Sequence, residues 1–337
     1  PEEMRRSLRY GKVMLCTDQD RDGSHIKGLC MNLFQSHWRS LFEMTGFLSF
    51  MNTPILRATH SRRTTDVRVF YTEGEFKEWH QQQNPLEQTE WKLKYFKGLG
   101  TSTAKEFKEY LSNKKIIDYA FTGPKSTEMM DIMFNKTRAD DRKRLLLEDY
   151  NPGSYLDKNH AQVPYETFVK DELLHFSSYD CERSIPHLMD GLKTSFRKIL
   201  FCCLKRKLTS EIKVAQLSGY VSEHAEYHHG EQSLNGAIVN MAQNFVGSNN
   251  IHLLEPKGQF GSRLLGGQDS ASERYIFTQL NSLTRLLFPV ADDPVLKYLQ
   301  EDGHSIEPDF YAPMLPFVLV NGIMGIGTGF SCNIPSF

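Results

Sequence analysis

The sequence lacks a long apolar run, a paired-cysteine motif and an excess of charge of either sign. No apolar stretch in its 337 residues approaches the ~20 residues that cross a bilayer, so we expect no membrane partner. Lysine and arginine number 40 against 41 aspartates and glutamates, a net charge of −1. This balance excludes a uniformly basic nucleic-acid coat and an acidic tail, and any surface for nucleic acid must therefore be local.

Cysteine pairs and nucleotide-hydrolysing loops are also missing from the chain. The six cysteines are scattered without a Cys-x-x-Cys pair, a pattern that favours a reducing, intracellular compartment. No Gly-x4-Gly-Lys-Ser/Thr loop occurs, which excludes a recognisable P-loop. The length fits about two globular domains. Because the chain begins at Pro1 without an initiator methionine or a signal peptide, we expect an internal segment of a longer protein.

An acidic segment follows a short apolar run, Lys12 to Thr17, that predicts a buried strand. Its three aspartates alternate along the chain: Asp18, Asp20 and Asp22. In an extended loop they would project to one side, where they could share a hard cation. An EF-hand would need a glutamate at the twelfth position, which is Leu29 here. The segment therefore predicts a magnesium site ahead of a helix that starts near Ser24, with a solvated acidic turn as the alternative.

Two further patterns could bind a phosphate or a metal. Lys97 to Thr103 combines glycines, hydroxyls and a lysine ahead of a predicted helix, Ala104 to Leu111, so that backbone amides could meet a phosphate. His224 and His228 are four residues apart, a possible zinc pair, but no third ligand stands nearby. The zinc hypothesis is accordingly the weaker of the two.

A basic run and two predicted helices form a candidate DNA-binding region. Between Arg183 and Lys213, eight basic residues stand against two acidic ones, and interleaved leucines and isoleucines suggest a helix with one basic side. Val214 to Glu223 and Glu231 to Phe245 also have helical periodicity, and a short glycine-bearing turn joins them. This is the pattern of a helix-turn-helix. An ordinary solvated helix face remains the alternative.

One tyrosine stands in a position where it could carry chemistry. Ser270 to Glu273 has capping-box spacing, which predicts a helix start beside Arg274 and Tyr275. A tyrosine there is usually half-buried packing, but next to an arginine it could act as a nucleophile toward phosphorus. His229, at the start of the second predicted helix, could face a phosphate.

Six segments together resemble the eukaryotic-type DNA topoisomerase II family of type IIA topoisomerases. They follow the family's order and cover nearly the whole chain: Thr17 to Gly28, Lys97 to Thr103, Tyr227 to Glu231, Ala242 to Asn250, Gly266 to Phe277 and Asn321 to Gly329. The resemblance implies an α/β plus α+β multidomain fold. Residues 1–50 would be the C-terminal half of a TOPRIM (Rossmann-like) domain, and 51–170 its extension and a linker. Residues 171–310 would be a winged-helix domain with the helix-turn-helix, and 311–337 the start of a tower domain.

The resemblance also implies a role for individual residues. Tyr275 matches the nucleophile that becomes joined to a 5′ phosphate, and Arg274 matches the neighbour that neutralises charge at phosphorus. His229 and Arg183 match supporting catalytic contacts. The matches to the Mg²⁺ ligands are Asp18, Asp20 and Asp22. The matches to DNA-binding residues are Lys97, Lys193, Arg197 and the apolar wedge Ile326.

At the level of the whole protein, the resemblance implies an ATP-dependent topoisomerase that passes one DNA duplex through a transient break in another. ATP would bind an N-terminal domain absent from this chain, and the enzyme would be a homodimer in the nucleus, or in a viral or host compartment. The family's Glu-Gly-Asp-Ser-Ala type metal segment is missing, Lys193-Thr194 replaces Lys-Pro, and Glu273 adds a charge beside the tyrosine. We therefore expect the isolated segment to be inactive, and a non-catalytic DNA-binding module is the alternative function.

Overall fold

The computed structural model describes residues 6–96, 98–301 and 303–337. The chain divides into two compact units, Pro1–Tyr179 and Asp180–Phe337, and each has its own hydrophobic core. Within the described residues, every helix is too short or too polar to span a bilayer. All six cysteines are free thiols. The division into four predicted domains stays a prediction.

The first unit contains two sheets. Its strands are β1 (Val13–Leu15), β2 (Leu48–Met51), β3 (Leu56–His60), β4 (Val67–Phe70), β5 (Trp91–Tyr95), β6 (Ile116–Ala120) and β7 (Gln162–Pro164). The larger sheet has the order β1-β2-β6-β7, with parallel pairs at both ends and an antiparallel pair, β2 with β6, in the middle. The smaller sheet, β4-β3-β5, is antiparallel throughout. All four residues of β2 are buried, as expected for a central strand that is covered on both faces.

Helices share the hydrophobic core of the larger sheet and contribute part of its aromatic residues. They are Arg21–His37, Arg39–Phe42, Glu73–Gln82, Pro85–Thr89, Ala104–Ser112, Pro124–Phe134, Ala139–Arg144 and Tyr165–Phe168, with shorter 3₁₀ or π turns at Leu99–Thr101, Lys136–Arg138, Leu145–Asp149 and Val169–Leu173. The rings of Phe42 and Tyr165 stack with their centroids 4.2 Å apart. A further helix, Leu174–Ser184, includes residues of both units.

The helix Arg21–His37 begins earlier and faces differently than its sequence pattern predicts. Its cap is Asp20 instead of Ser24, because the Asp20 carboxylate accepts a hydrogen bond from the Gly23 amide. A β-carbon at Gly23 would lie 2.0 Å from the carbonyl oxygen of Asp18, so this close approach requires glycine. The buried face carries small and polar residues together with Met31, whereas the apolar stripe Ile26, Leu29 and Leu33 is about half exposed.

The second unit is built from helices, two short hairpins and one pair of short strands that are distant in sequence. Its helices are Thr194–Lys205, Val214–His224, Glu231–Ala242, Thr284–Leu287 and Phe317–Asn321, with a 3₁₀ segment at Val290–Val295. Its strands are β8 (Ile212–Lys213), β9 (Phe277–Thr278), β10 (Tyr298–Glu301), β11 (His304–Pro308), β12 (Ile323–Ile326) and β13 (Ser331–Ile334). Antiparallel pairs join β8 to β9, β10 to β11 and β12 to β13.

Both helices predicted for the helix-turn-helix are present. Val214–His224 ends one residue later than predicted, and Glu231–Ala242 ends three residues before Phe245. The second helix stops because Gln243 adopts an extended backbone and its side-chain amide donates to the carbonyl of Phe260. Leu217, Leu234 and Ile238 lie fully buried in the unit's core, so the apolar periodicity of both helices faces inward.

Candidate functional site

The acidic loop joins β1 to the helix Arg21–His37 in the first unit. Asp18 accepts a hydrogen bond from the Leu99 amide at 2.5 Å, and Asp20 accepts one from the Gly23 amide at 2.6 Å. Asp22 lies in the first turn of the helix. The expectation of three aspartates alternating in one extended loop is therefore wrong for Asp22, because the helix begins one residue before it.

The donor set of this loop fits a hard divalent cation. Partial burial raises the pKa of Asp20; the Gly23 amide opposes this shift, whereas the charges of Asp18 and Asp22 add to it. Carboxylates that are held close together, with their negative charges opposing one another, gain most from a bound Mg²⁺. Each hydrogen bond of Asp18 and Asp20 occupies one carboxylate oxygen and leaves a second as a possible ligand atom.

The segment after Lys97 forms hydrogen bonds with the acidic loop and within itself, and does not present an open row of amides to a phosphate. Lys97 itself lies outside the described residues. The Leu99 amide is bonded to Asp18, and Thr103 and Glu106 form a reciprocal capping box on the helix Ala104–Ser112. Burial raises the pKa of Glu106, but hydrogen bonds from Lys94 and Thr103 outweigh it and lower the pKa to about 2. The amides of Leu99, Thr101, Ser102 and Thr103 thus already donate hydrogen bonds within the protein.

Tyr275, in the second unit, is 72% exposed at the end of a tight turn. The turn is closed by a hydrogen bond from the Tyr275 amide to the Ser272 carbonyl at 2.9 Å and leads into β9. The predicted helix start is therefore wrong: the Ser272 hydroxyl bonds the Glu273 carboxylate at 3.3 Å and caps no helix. The Arg274 guanidinium carbon lies 6.0 Å from the centre of the Tyr275 ring.

Backbone hydrogen bonds fix this turn against the start of the helix Val214–His224. The Ala215 amide donates to the Glu273 carbonyl at 3.2 Å, and the Val214 amide donates to the Ile276 carbonyl at 3.1 Å. Ile276 is buried in the core directly after the exposed Tyr275. The tyrosine is consequently an exposed side chain on an anchored backbone, an arrangement that suits a nucleophile for a large substrate.

The turn between the two helices holds a cluster of histidines. His229 is half-buried two residues before the helix Glu231–Ala242, and its ring lies 5.3 Å from that of Tyr227. The predicted zinc pair is not formed, because the His224 ring bonds the Tyr220 carbonyl whereas His228 bonds Glu301 at 2.7 Å. The ligand atoms of His228, Glu226 and Glu301 lie within 4.8 Å of one another, and the His228 ring is 2.7 Å from Glu301 and 3.7 Å from Glu226.

The predicted basic face of the helix Thr194–Lys205 is smaller than its sequence suggests. Arg197 is only 7% exposed, and its guanidinium forms two hydrogen bonds with the buried Asp190, the shorter at 2.8 Å. Lys198 is also buried, with its ammonium 2.9 Å from Glu307. A phosphate contact by Arg197 would require this buried ion pair to open. Lys193 is half-buried at the N-terminal end of the helix, where its charge adds to the positive end of the helix dipole.

In the second unit, Asp180 lies beside Arg183 and also bonds Thr328, which follows the strand that carries Ile326. The Arg183 guanidinium is 3.7 Å from the Asp180 carboxylate, which also accepts a hydrogen bond from the Thr328 hydroxyl at 3.0 Å. Ile326 is 68% exposed at the end of β12. A β-carbon at Gly325 would lie 2.6 Å from the Ser184 carbonyl oxygen, so the hairpin rests directly on this segment. Sequence reasoning missed Asp180, which stands 148 residues before Thr328.

Two family models match the chain. One, the C-terminal associated domain of TOPRIM, matches residues 51–181, and the other, the A-type subunit of DNA gyrase/topoisomerase IV, matches residues 183–337. DNA topoisomerase 2 of Plasmodium falciparum is 51% identical over 336 residues, which are 98% of this chain and 24% of that protein. DNA topoisomerase 2 of Arabidopsis thaliana is 52% identical over 335 residues, 98% of this chain and 22% of that protein. Human DNA topoisomerase 2-alpha is 48% identical over 349 residues, covering 100% of this chain and 22% of its own length.

A solved structure has the same fold. The crystal structure of the Plasmodium falciparum topoisomerase II DNA-binding, cleavage and re-ligation domain aligns with a TM-score of 0.79 at 51% identity. The alignment covers 98% of this chain and 45% of that chain. The mixed α/β fold thus matches that of a DNA-cleavage core, and the chain spans about a quarter of the length of the curated relatives that it matches.

Proposed function

Since this chain belongs to the DNA topoisomerase 2 family, of whose members it spans about a quarter, we propose that an enzyme containing it cuts and rejoins double-stranded DNA. The reaction would be that of a type II topoisomerase, in which one duplex passes through a transient break in another. The observation that carries the proposal is the exposed Tyr275 on a turn whose neighbours are fixed in the core.

In the proposed reaction the Tyr275 phenolic oxygen attacks a DNA phosphorus. A bond forms between this oxygen and phosphorus while the bond from phosphorus to the 3′ oxygen breaks, and the phenol proton leaves to solvent. The 5′ phosphate stays joined to the tyrosine until the 3′ oxygen attacks in reverse and religates the strand. Arg274 lies beside the ring, where its fixed positive charge would oppose the charge that develops at phosphorus.

The remaining basic residues of the second unit would hold the DNA. His229 and Arg183 would contact phosphates close to the reaction, and Lys193 would contact the backbone farther along the duplex. For Arg197 the role differs from the predicted DNA contact, because its guanidinium is paired with Asp190. It would hold the loop before Lys193 in position. Ile326 would wedge into a base step and bend the duplex.

The acidic loop of the first unit would bind Mg²⁺ through Asp18, Asp20 and Asp22. When bound, the cation would supply charge stabilisation for the leaving 3′ oxygen. The loop's own residues prepare the site: Asp18 is oriented by the Leu99 amide, and Asp20 is oriented by the Gly23 amide. The Glu that completes such a site in the family would come from outside this chain.

Several finer features belong to the same proposal. Residues 171–310 would form a winged-helix domain and 311–337 the start of a tower domain, after a TOPRIM half-domain at 1–50 and its extension at 51–170. The enzyme would be a nuclear homodimer that uses ATP bound by a domain outside this chain. The match of residues 51–181 to the C-terminal associated domain of TOPRIM supports the extension at 51–170.

The test is the covalent adduct formed by the enzyme that contains this segment. With Tyr275→Phe we expect DNA binding within about twofold of the parent and no adduct that survives denaturation, because only the attacking oxygen is removed. Tyr10→Phe is the matched control, since Tyr10 is similarly exposed at 76%. An adduct in Tyr275→Phe would overturn the assignment of the nucleophile, and a parent that binds DNA without any adduct would favour a non-catalytic module.

A further inference from the structure

Gln19, the residue between Asp18 and Asp20 in the acidic loop, is held by two hydrogen bonds of its side chain. The Gln19 side-chain amide donates to the carbonyl of Met51, at the end of β2, at 3.4 Å. Its carbonyl oxygen accepts a hydrogen bond from the ammonium of Lys158 at 3.0 Å. Lys158 comes from an irregular segment that lies 139 residues later in the chain. The loop is therefore tied to a distant segment by its middle residue.

Lys158 is an unusual residue to find in this position. It is only 9% exposed, and a buried ammonium is unfavourable unless charges or hydrogen bonds compensate it. Burial lowers the pKa of Lys158, the nearby Glu172 raises it, and Lys27 lowers it again. A lysine that served only to fill space would be replaced at lower cost by an apolar side chain.

The charges around Lys158 form a small buried network under the loop. Glu172 pairs with Lys27 and accepts a hydrogen bond from the Ser24 hydroxyl at 2.7 Å. Its second carboxylate oxygen has no hydrogen-bond partner among the described residues. With Glu75 and Lys115, whose charges also act on Lys158, three lysines stand against two glutamates and leave one positive charge in excess beneath a loop that carries three aspartates. This charge opposes the repulsion among the aspartates when no cation is bound.

We propose that Lys158 is a positioning residue for the divalent-cation loop, acting through Gln19. Gln19 lies at a bend in the chain between Asp18 and Asp20, so holding its side chain against Met51 and Lys158 fixes the backbone that carries both aspartates. Lys158 would thus set the spacing of two cation ligands without touching the cation. The inference rests on the proposed Mg²⁺ site and adds to it a residue that no motif marks.

The test compares cation binding with folding in the enzyme that contains this segment. Mn²⁺ serves as the probe, and its binding is measured directly by electron paramagnetic resonance without DNA. With Lys158→Met we expect Mn²⁺ affinity to fall about tenfold, the usual effect of removing a residue that orients a ligand. The urea midpoint should stay the same or rise, because a buried charge is replaced by an apolar chain of similar length. Lys158→Arg should restore most of the affinity.

Two further variants separate positioning from general packing. Gln19→Leu should weaken Mn²⁺ binding to a similar degree, and the double variant should be no weaker than either single one, since both act through the same contact. Lys114→Met is the control, because Lys114 is an exposed lysine of the same unit. It should bind Mn²⁺ as the parent does.

The outcomes distinguish this inference from the proposed site. If Lys158→Met binds Mn²⁺ like the parent while Asp20→Asn binds weakly, Lys158 is not a positioning residue and the site stands. Additive losses in the double variant, or a loss that Lys158→Arg does not restore, also overturn the inference. If Asp20→Asn itself binds like the parent, the proposed cation site fails, and the inference fails with it.

Discussion

At the scale of single residues, Asp20 performs two tasks that differ in their response to charge. As a helix cap, Asp20 needs only a side-chain oxygen that accepts a hydrogen bond from the Gly23 amide, and asparagine supplies such an oxygen equally well. As a proposed cation ligand it needs its negative charge. The raised pKa of Asp20 means that at neutral pH its ionised form costs folding free energy, a cost that disappears below the ordinary aspartate pKa. The two tasks can therefore be separated by one substitution.

Asp20→Asn should preserve the cap and lose the ligand charge. We expect the variant without metal to be as stable as the parent at neutral pH or slightly more stable, because the unfavourable ionised form is gone. The Mg²⁺ concentration that gives half-maximal cleavage should rise roughly tenfold or more. Urea unfolding and a Mg²⁺ titration of DNA cleavage measure the two effects.

The same residue predicts a dependence on pH. Because the pKa of Asp20 is raised, protons begin to compete with Mg²⁺ for its carboxylate at a higher pH than they would for an ordinary aspartate. As the pH falls, the Mg²⁺ requirement of the parent should therefore begin to rise at that higher pH. Asp20→Asn should show a flatter pH profile. Asp140→Asn, at an exposed aspartate paired with Lys143, is the control. If Asp20→Asn and the parent give identical Mg²⁺ titration curves, the acidic loop is not a catalytic metal site.

At the scale of elements, the helix Thr194–Lys205 separates two basic residues that look alike in sequence. Lys193 precedes the helix, where a positive charge adds to the helix dipole and favours an anion. Arg197 lies one turn later on the inner face, where Asp190 and the Leu192 carbonyl take up its donors. Asp190 in turn accepts the Tyr311 amide at 3.0 Å. The ion pair is thus part of the core of the second unit.

Replacing these two residues should give opposite results. Lys193→Met should flatten the log–log salt dependence of DNA binding by about 0.9, the value for one phosphate contact, with unchanged stability. Arg197→Met should leave the slope unchanged and lower the free energy of unfolding by about 3–5 kcal/mol, because Asp190 would remain buried and unpaired. Salt titrations and urea unfolding measure both quantities.

An exposed lysine of the same unit provides the comparison for this pair. Lys297→Met, at a side chain that pairs with Asp309 on the surface, should change neither the slope nor the stability appreciably. Equal changes of slope for Lys193→Met and Arg197→Met would mean that the Arg197 ion pair opens when DNA binds.

At the scale of the whole molecule, the hairpin of β12 and β13 has the features of a wedge. Residues 323–334 include no charged side chain. The hairpin presents Ile326 outward while Gly325 packs against the Ser184 backbone. A wedge acts by unstacking bases, which bends DNA without releasing counterions. Its effect should therefore be visible in the shape of the bound duplex and invisible in the salt dependence.

Ile326→Ala should reduce DNA bending and leave the salt slope of binding unchanged. The measurement is end-to-end fluorescence transfer on a duplex of about 30 base pairs, beside a salt titration. Met324→Ala is a matched control, because Met324 is 60% exposed two residues earlier on the same strand. If Ile326→Ala bends DNA as much as the parent, or if Met324→Ala loses an equal amount of bending, Ile326 is not a wedge and the Gly325–Gly329 segment is an ordinary glycine turn.

The sequence by itself determined the local features of this protein and its family. Helical periodicity predicted the helices Val214–His224 and Glu231–Ala242 to within three residues at their ends, because their apolar faces repeat at the helical period. The order of six motifs indicated the topoisomerase family, which the relatives and the family models confirm. Motifs can be recognised from the sequence because each one needs particular residue types at fixed local spacing.

Only the tertiary structure decided which of these residues are accessible and what holds them. Arg197 and Lys193 carry the same charge in one basic run, yet burial beside Asp190 separates their roles. Tyr275 follows capping-box spacing, yet its turn leads into a strand because the helix Val214–His224 binds that backbone. Lys158 reaches Gln19 across 139 residues. Partners this far apart leave no local pattern, since burial and pairing depend on the packing of the whole chain.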